Sequence, residues 1–314
     1  MILFTCNETK WFMSDLLSQN LDDLMRAADA KRRSLGFKHV ERCAIISAKS
    51  GKCSENCAYC AQSVFHQTQS PVFPLKSVAE IVAAAHKAQA IGAERFGIVT
   101  SGNALTMAEL AQIAAAISEI TQTLPLKVCA SLGALHVKQL LQLKAVGLSR
   151  YHHNIETAPS HYPAIVNTHT FQDRLKTIEN VKEAGLELCC AGIIGLGESW
   201  EQRLEFAETL NIINPDSLPL NFLVSINGTR LFGQVAPVSA ADALRVLAIL
   251  RLCVQHASIR LCSGRESVLG AQQLRAFSAG ANGLLIGGYL TVNTHDLNRD
   301  HALIETVRQH WAEV

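Results

Sequence analysis

One arrangement recurs along this chain and restricts its folding more than any other feature: a short apolar run, a polar loop, then a segment whose apolar residues fall at helical spacing. The apolar runs cover 43–48, 95–100, 127–132, 151–155, 187–194, 218–225, 258–262 and 283–288, and the helical patterns between them cover 78–90, 107–121, 136–146, 172–184, 200–212, 240–256 and 271–279. Several of these helical segments end at a glycine before the next run, as at Gly92, Gly147, Gly185 and Gly280, which suits a left-handed closing residue. Eight strand-helix units joined by right-handed crossovers predict an α/β fold of the (β/α)8 TIM-type barrel rather than an open doubly wound sheet. No Pro/Gly/Ser-rich linker interrupts the series, so one domain is expected over 1–314, with a lead-in helix over about 14–35 carrying Leu16, Leu17, Leu21, Leu24 and Met25 on one face.

Composition removes several classes of function. Charged residues are 18% and hydrophobic ones 48% of the chain, as in a well-buried globular protein, and the net charge is +1. The longest cationic run, Lys31-Arg32-Arg33, reads as the end of a helix, so no nucleic-acid partner is expected. No apolar stretch reaches the ~18 residues that span a bilayer, and the first residues lack the charged start of an export signal. The expected location is the cytoplasm, without a membrane partner. There the 10 cysteines point to metal ligation or redox chemistry rather than to disulfides.

Three of them stand as Cys53-x3-Cys57-x2-Cys60 in a short polar loop directly after the first apolar run. A tetrahedral zinc site asks for a fourth Cys or His, whereas three thiolates can hold three irons of a cubane 4Fe-4S cluster and leave the fourth iron open to a ligand. In a barrel the chemistry sits where the C-terminal ends of the strands meet. Cys129, Asn154, Glu156, Cys189, Cys190, Asn221, Arg260 and Cys262 all fall late in the expected strands, on the same rim as the three-cysteine loop.

The motif, with Tyr59 just before its last cysteine, resembles the signature of radical S-adenosylmethionine (SAM) enzymes. The longer blocks around it, residues 49–63, 151–157, 192–198, 220–223 with Gly228-Thr229, and 259–261 with Gly264-Arg265-Glu266, are similar to the biotin synthase family in particular. The resemblance implies a radical SAM barrel acting on dethiobiotin, with S-adenosylmethionine bound at the open iron and its cleavage yielding a 5'-deoxyadenosyl radical. It implies a reductant such as flavodoxin or ferredoxin, and a homodimer. By position in the matching blocks, it places Tyr59 and Ile194 against the adenine and Thr100 and Ser101 at the cofactor's ammonium. Asn154 and Glu156 fall at the ribose or substrate, Arg174 at the cofactor carboxylate and Asn221 at the ureido ring. Glu156 stands where the family usually has Asp.

Sulfur insertion needs a second, auxiliary cluster, which the resemblance places on three Cys and one Arg inside the barrel. Cys129, Cys189 and Arg260 match, but Gly97 occupies the fourth position. Cys262 shares a face with Arg260, and Cys190 follows Cys189. The auxiliary cluster is therefore expected on Cys129, Cys189 and Cys262 with Cys190 or Arg260 as a further ligand, either the usual 2Fe-2S form or one of four-iron type. Alternation allows Cys190 to join Cys189 only through a bulge. Cys6, Cys43 and Cys253 match nothing and read as packing residues or free thiols, and at most one of His152 and His153 points inward. Two rivals stand: a sister radical enzyme, hydrogenase-maturase-like or methylornithine-synthase-like, and a non-catalytic iron-sulfur or zinc protein. Asn221, Arg260 and the Cys129/Cys189 pair weigh against the first, and Asn154, Glu156 and Asn221 against the second.

Overall fold

In the computed structural model, which describes residues 15–288 and 296–313, the apolar runs become parallel strands in the expected order. β1 (Glu41–Lys49) leads to α2 (Val78–Ala90), β2 (Arg95–Thr100) to α3 (Met107–Thr123), and β3 (Lys127–Ser131) to α4 (Val137–Ala145). β4 (Arg150–His152) is followed by α5 (Tyr162–Ile165) and α6 (Phe171–Glu183), and β5 (Glu187–Cys189) with β6 (Ile193–Ile194) by α7 (Trp200–Ile213). β7 (Ser217–Phe222) leads to α8 (Ala240–Cys253), β8 (Ser258–Leu261) to α9 (Arg265–Leu269) and α10 (Gln273–Ser278), and β9 (Gly283–Leu285) to α11 (Leu297–Glu313). The strands run β5-β4-β3-β2-β1-β9-β8-β7, and the ring closes where Cys189 of β5 pairs with Ser217 of β7. The chain is thus an eight-stranded parallel barrel, with β6 a two-residue extension lying on the far end of β7.

Local chemistry explains the departures from the expected boundaries. The lead-in helix, α1 (Leu21–Ser34), starts inside its expected span because the Asn20 side chain accepts a hydrogen bond from the Asp22 amide. Residues 15–18 form a separate helical turn, and Cys6 lies outside the described residues. The run 187–194 is two strands rather than one. Between them Cys190 donates its amide to Ser217, and Gly192 packs on Glu156 so closely that a Cβ there would sit 2.2 Å from the Glu156 carbonyl oxygen. Four helices that leave the rim begin in capping boxes, Ser77/Glu80, Thr106/Glu109, Thr170/Asp173 and Ser199/Gln202. Each such cap stabilises its helix by about 1 kcal/mol and fixes where the rim loop ends.

Period-two alternation then divides every strand between two environments. Phe96, Ile98, Val128, Tyr151, Leu188, Leu218, Leu220, Ile259, Leu261 and Leu284 pack outward against the helices in one continuous core. The alternate positions face the barrel interior and carry the polar groups and thiols. α1 and α11 add a flank where the Arg32 guanidinium, paired with Asp29, lies 3.9 Å from the Trp311 ring centroid. No helix among the described residues is long and apolar enough to cross a membrane.

Candidate active site

The loop after β1 is shaped by its own backbone bonds. Cys53 donates to Gln62 O (3.0 Å), Cys60 to Cys57 O (3.0 Å) and Ala58 to Ile165 O (2.8 Å), while the Ser101 hydroxyl reaches Gly51 O at 2.8 Å. These contacts range Cys53, Cys57 and Cys60, all free thiols, around one rim hollow of about 160 Å³ with Tyr59, Thr100, Ser101, Asn154, Glu156 and Arg174. Among the described residues no three of His, Cys, Asp and Glu converge on a point where a single ion would sit. A cubane takes one thiolate on each of three separate irons, so thiols spread around a hollow fit it. Thr100 Oγ1 and Glu55 Oε2 are buried in that wall without a hydrogen-bond partner, as donors or acceptors for a bound ligand would be.

Behind these thiols lies a buried relay. Cys57 Sγ is 3.6 Å from His169 Nε2, His169 Nδ1 is 2.8 Å from the Tyr162 hydroxyl, and that hydroxyl accepts from Arg174 Nε at 3.0 Å. Arg174 Nη1 then faces Glu156 Oε1 at 3.8 Å. Arg174 is therefore no solvated surface charge: burial opposes its ionisation, and Glu156, Tyr162 and Tyr59 together outweigh that and hold it charged. Glu156 itself has φ +67, a left-handed backbone that a non-glycine residue adopts at a cost and that is concentrated at functional sites. Burial pushes the thiols of Cys57 and Cys60 up, to about 12 and about 11, so ligation by metal would release protons there.

Below the rim hollow, and sharing with it Tyr59, Cys60, Ser131, His152, Asn154 and Glu156, is a cavity of about 280 Å³ inside the barrel. Besides Cys60 at its mouth, four thiols face it: Cys43 of β1, Cys129 of β3, Cys189 of β5 and Cys262 just after β8. Gly97 of β2 also lines it, and a Cβ there would meet Ile45 Cγ2 at 3.0 Å, so a side chain at 97 would need that methyl to give by a few tenths of an ångström. Asn221 lines the cavity, but its amide is engaged: Nδ2 donates to Gly192 O (3.3 Å) and Pro219 O (3.2 Å), and Oδ1 accepts from Ser263 N (3.1 Å). Asn154 likewise accepts from Ala191 N at 3.0 Å.

The floor of this cavity is ionic. Glu41 is flanked by Arg95 (2.6 Å), Arg150 (3.6 Å) and Arg260, and Glu187 pairs with Arg95 (2.9 Å) and Arg150 (2.8 Å). Three guanidiniums thus face two carboxylates. Arg95 Nη1 and Arg260 Nη1 each lie 4.0 Å from a thiol, of Cys129 and Cys189 respectively, while Arg150 Nη1 and Arg260 Nε are buried without a hydrogen-bond partner, the former facing Glu41 only at ion-pair distance. The excess positive charge suits an anionic group held by thiolates.

Burial pushes Cys43 and Cys262 up to about 12. Burial acts on Cys189 in the same sense, but the His152 Nδ1 contact at 3.5 Å, with Arg260 and Arg150, overturns it and brings this thiol down to about 6. In the metal-free chain, alkylation of Cys189 is therefore expected to rise through about pH 6, with Cys43 and Cys262 reacting only in strong alkali. Peptide mapping against pH checks this; His152→Ala should move the Cys189 midpoint upward.

Two expected site residues lie elsewhere. Ile194 is 2% exposed in the outer core, because alternation along β6 gives the cavity position to Ile193 instead. Cys190 is fully buried in the same outer core, since no bulge returns it to the inner face beside Cys189. Conversely Cys43, expected to be a packing residue or a free thiol and given no ligand role, is a free thiol that faces the cavity in a cluster with Cys262 and Leu285. The period-two reading of β1 that puts Cys43 and Ile45 on one face carried that signal. Arg95, Arg150 and Glu41 carried none, since their side chains meet only once the barrel closes. His152 lines both hollows and His153 the rim hollow alone.

Comparison with known proteins matches residues 48–210 to the model of the Radical SAM superfamily and residues 219–307 to that of the Biotin and Thiamin Synthesis associated domain. The chain is 44% identical over 278 residues to a biotin synthase of Citrifermentans bemidjiense, covering 88% of this chain and 84% of the relative. It is 44% identical over 271 residues to a biotin synthase of Thermotoga neapolitana, covering 86% and 96%. Among solved structures, methylornithine synthase superposes with a TM-score of 0.80 at 18% identity, covering 96% of this chain and 92% of that one. A FeFe-hydrogenase maturase from Carboxydothermus hydrogenoformans superposes with a TM-score of 0.77 at 18% identity, covering 96% and 78%. At such identity what the two structures share with this chain is the barrel.

Proposed function

The chain belongs to the radical SAM superfamily and, within it, to the biotin synthase family, and from that premise we propose how its residues divide the insertion of sulfur into dethiobiotin. The observation that carries the reading is the pair of thiol sets at two ends of one hollow, three at the rim and four at depth, with shared wall residues between them. When bound, a 4Fe-4S cluster with S-adenosylmethionine supplies hydrogen abstraction and an auxiliary iron-sulfur cluster supplies the sulfur atom. The protein positions the substrate between the two sources and excludes water.

Cys53, Cys57 and Cys60 hold the rim cluster. Tyr59, Thr100 and Ser101, with the Glu156–Arg174 pair, surround S-adenosylmethionine, Arg174 turning toward its carboxylate and Asn154 and Glu156 toward its hydroxyls. Cys43, Cys129, Cys189 and Cys262 hold the auxiliary cluster, with Arg260 beside it. Four thiols around one cavity can hold an auxiliary cluster of either the 2Fe-2S or the four-iron type, with Cys43 and Cys262 supplying thiolates that position 97 does not. Asn221 positions the backbone on which the ureido ring rests. The strand ring closes across both matched stretches, which supports reading 1–314 as one domain. A cytoplasmic homodimer served by a flavodoxin or ferredoxin completes the proposal.

Anaerobic incubation of the reconstituted protein with dethiobiotin, S-adenosylmethionine and dithionite should yield biotin together with 5'-deoxyadenosine. Formation of 5'-deoxyadenosine with no biotin would sink the substrate assignment.

A further inference from the structure

Two loops beside the rim hollow carry an outer surface that the chemistry inside the barrel does not use. One follows Cys60 and the other follows β7. Val64 donates its amide to Cys53 O at 2.9 Å, Leu231 donates to Ala58 O at 3.1 Å, and the Arg230 amide faces His66 Nε2 at 3.4 Å. Gly228 approaches the first loop so closely that a Cβ would fall 1.9 Å from the Gln67 carbonyl oxygen. The two loops are therefore one surface, tied by backbone hydrogen bonds to the segment bearing Cys53, Cys57 and Cys60.

Its side chains have a distinct chemistry. Val64, Phe65 and Val72 are about three-fifths exposed, at 59%, 62% and 59%, and Phe232 is 46% exposed. No Asp or Glu occurs from residue 56 to 79 or from 217 to 241, although the chain holds 27 of them in 314 residues. Arg230 is exposed and forms no ion pair among the described residues, its Nη2 donating to Ala164 O at 3.0 Å, and Lys52, just before Cys53 and outside the two loops, is likewise exposed without an ion pair among them. Scattered single apolar residues are ordinary on a surface, but several of them on two joined loops whose stretches carry no carboxylate, with cations that make no ion pair among the described residues, mark an interaction site.

We propose that this surface docks a small acidic one-electron carrier protein. The inference rests on the function proposed above, which needs an outside electron at the group held by Cys53, Cys57 and Cys60. The carrier gives up one electron, a flavodoxin passing from hydroquinone to semiquinone, and the group held by the three thiols takes it up. Val64 lies a single hydrogen bond from Cys53, so a carrier seated here is close to the acceptor. An acidic face on the carrier complements Lys52 and Arg230, and the apolar side chains supply the dry centre of the contact. A second copy of this chain fits less well, because a two-fold contact would bring like cations together while the two loops themselves supply no carboxylate.

The test uses the reconstituted holoenzyme carrying Phe65→Glu with Arg230→Glu, and reads 5'-deoxyadenosine formed with reduced flavodoxin and, separately, with dithionite. The flavodoxin-driven rate should fall at least about tenfold, and the dithionite-driven rate should stay within about twofold of the parent protein. An unchanged flavodoxin-driven rate overturns the proposal, as does a shift of the variant from dimer to monomer in sedimentation. Should both rates fall, Phe65→Ser decides by the same ratio of rates. Parent protein that forms no 5'-deoxyadenosine with dithionite would strike the functional reading instead, a result distinct from failed docking.

Discussion

Alanine at Cys43 or at Cys262 is expected to abolish the auxiliary cluster and leave the rim cluster intact. Both thiols face the same cavity as Cys129 and Cys189, and the four influence one another's ionisation around Arg260. Removing one leaves an iron without its anionic ligand in a buried site that water fills poorly. Loss of a supporting group beyond the ligands commonly costs 10–100-fold in metal affinity, so loss of a ligand should lower biotin formation by at least about 100-fold. Iron and sulfide should fall to the content of one cluster, with Mössbauer spectra showing only the rim species. 5'-Deoxyadenosine should still form. Cys190→Ala is the control, because that thiol lies in the outer core and its loss trims packing by about 1 kcal/mol without touching the cavity. An undiminished second cluster in the Cys43→Ala protein would remove Cys43 from the ligand set.

The contrast between Cys43 and Cys190 also marks how far the chain could be read before its structure. Helical and two-residue periodicities placed all eight strands of the ring, because a barrel strand must present one face to the helices and the other to the interior. The rim loop was legible because its spacing is itself the chemistry. Cys190 attracted attention through its neighbour, yet a neighbour on a strand is the residue that faces away. Cys43 matches no ligand position of the resembled family, although its parity on β1 with Ile45 puts it indoors. Gly97 is legible as a missing ligand, while its close approach to Ile45 belongs to packing across two strands. The Arg174 relay through Tyr162 and His169 to Cys57 joins residues up to 117 positions apart and needed the folded chain to appear.

The ionic floor sets the second large effect. Glu41 stands among Arg95, Arg150 and Arg260, and although burial works to raise its pKa, Arg260, Arg150 and Arg95 hold it down at about 2. Because this carboxylate titrates lower in the folded chain than its ordinary 4.5, its contribution is full above that value and fades as pH falls toward 2. Glu41→Gln preserves the shape and removes the charge, leaving three buried guanidiniums against Glu187 alone. Removing one partner from a buried ionic cluster costs about 3–5 kcal/mol, which for a chain of this size lowers Tm by roughly 5–10 °C. That loss should be measured in both the metal-free and the reconstituted protein. Four thiolates in the loaded cavity supply the negative charge that Glu41 no longer does, through Arg95 beside Cys129 and Arg260 beside Cys189. The Tm deficit of Glu41→Gln should therefore shrink by about half on reconstitution. Equal deficits in the two forms would mean that the arginines serve the barrel floor alone and do not balance the charge of the group held above them.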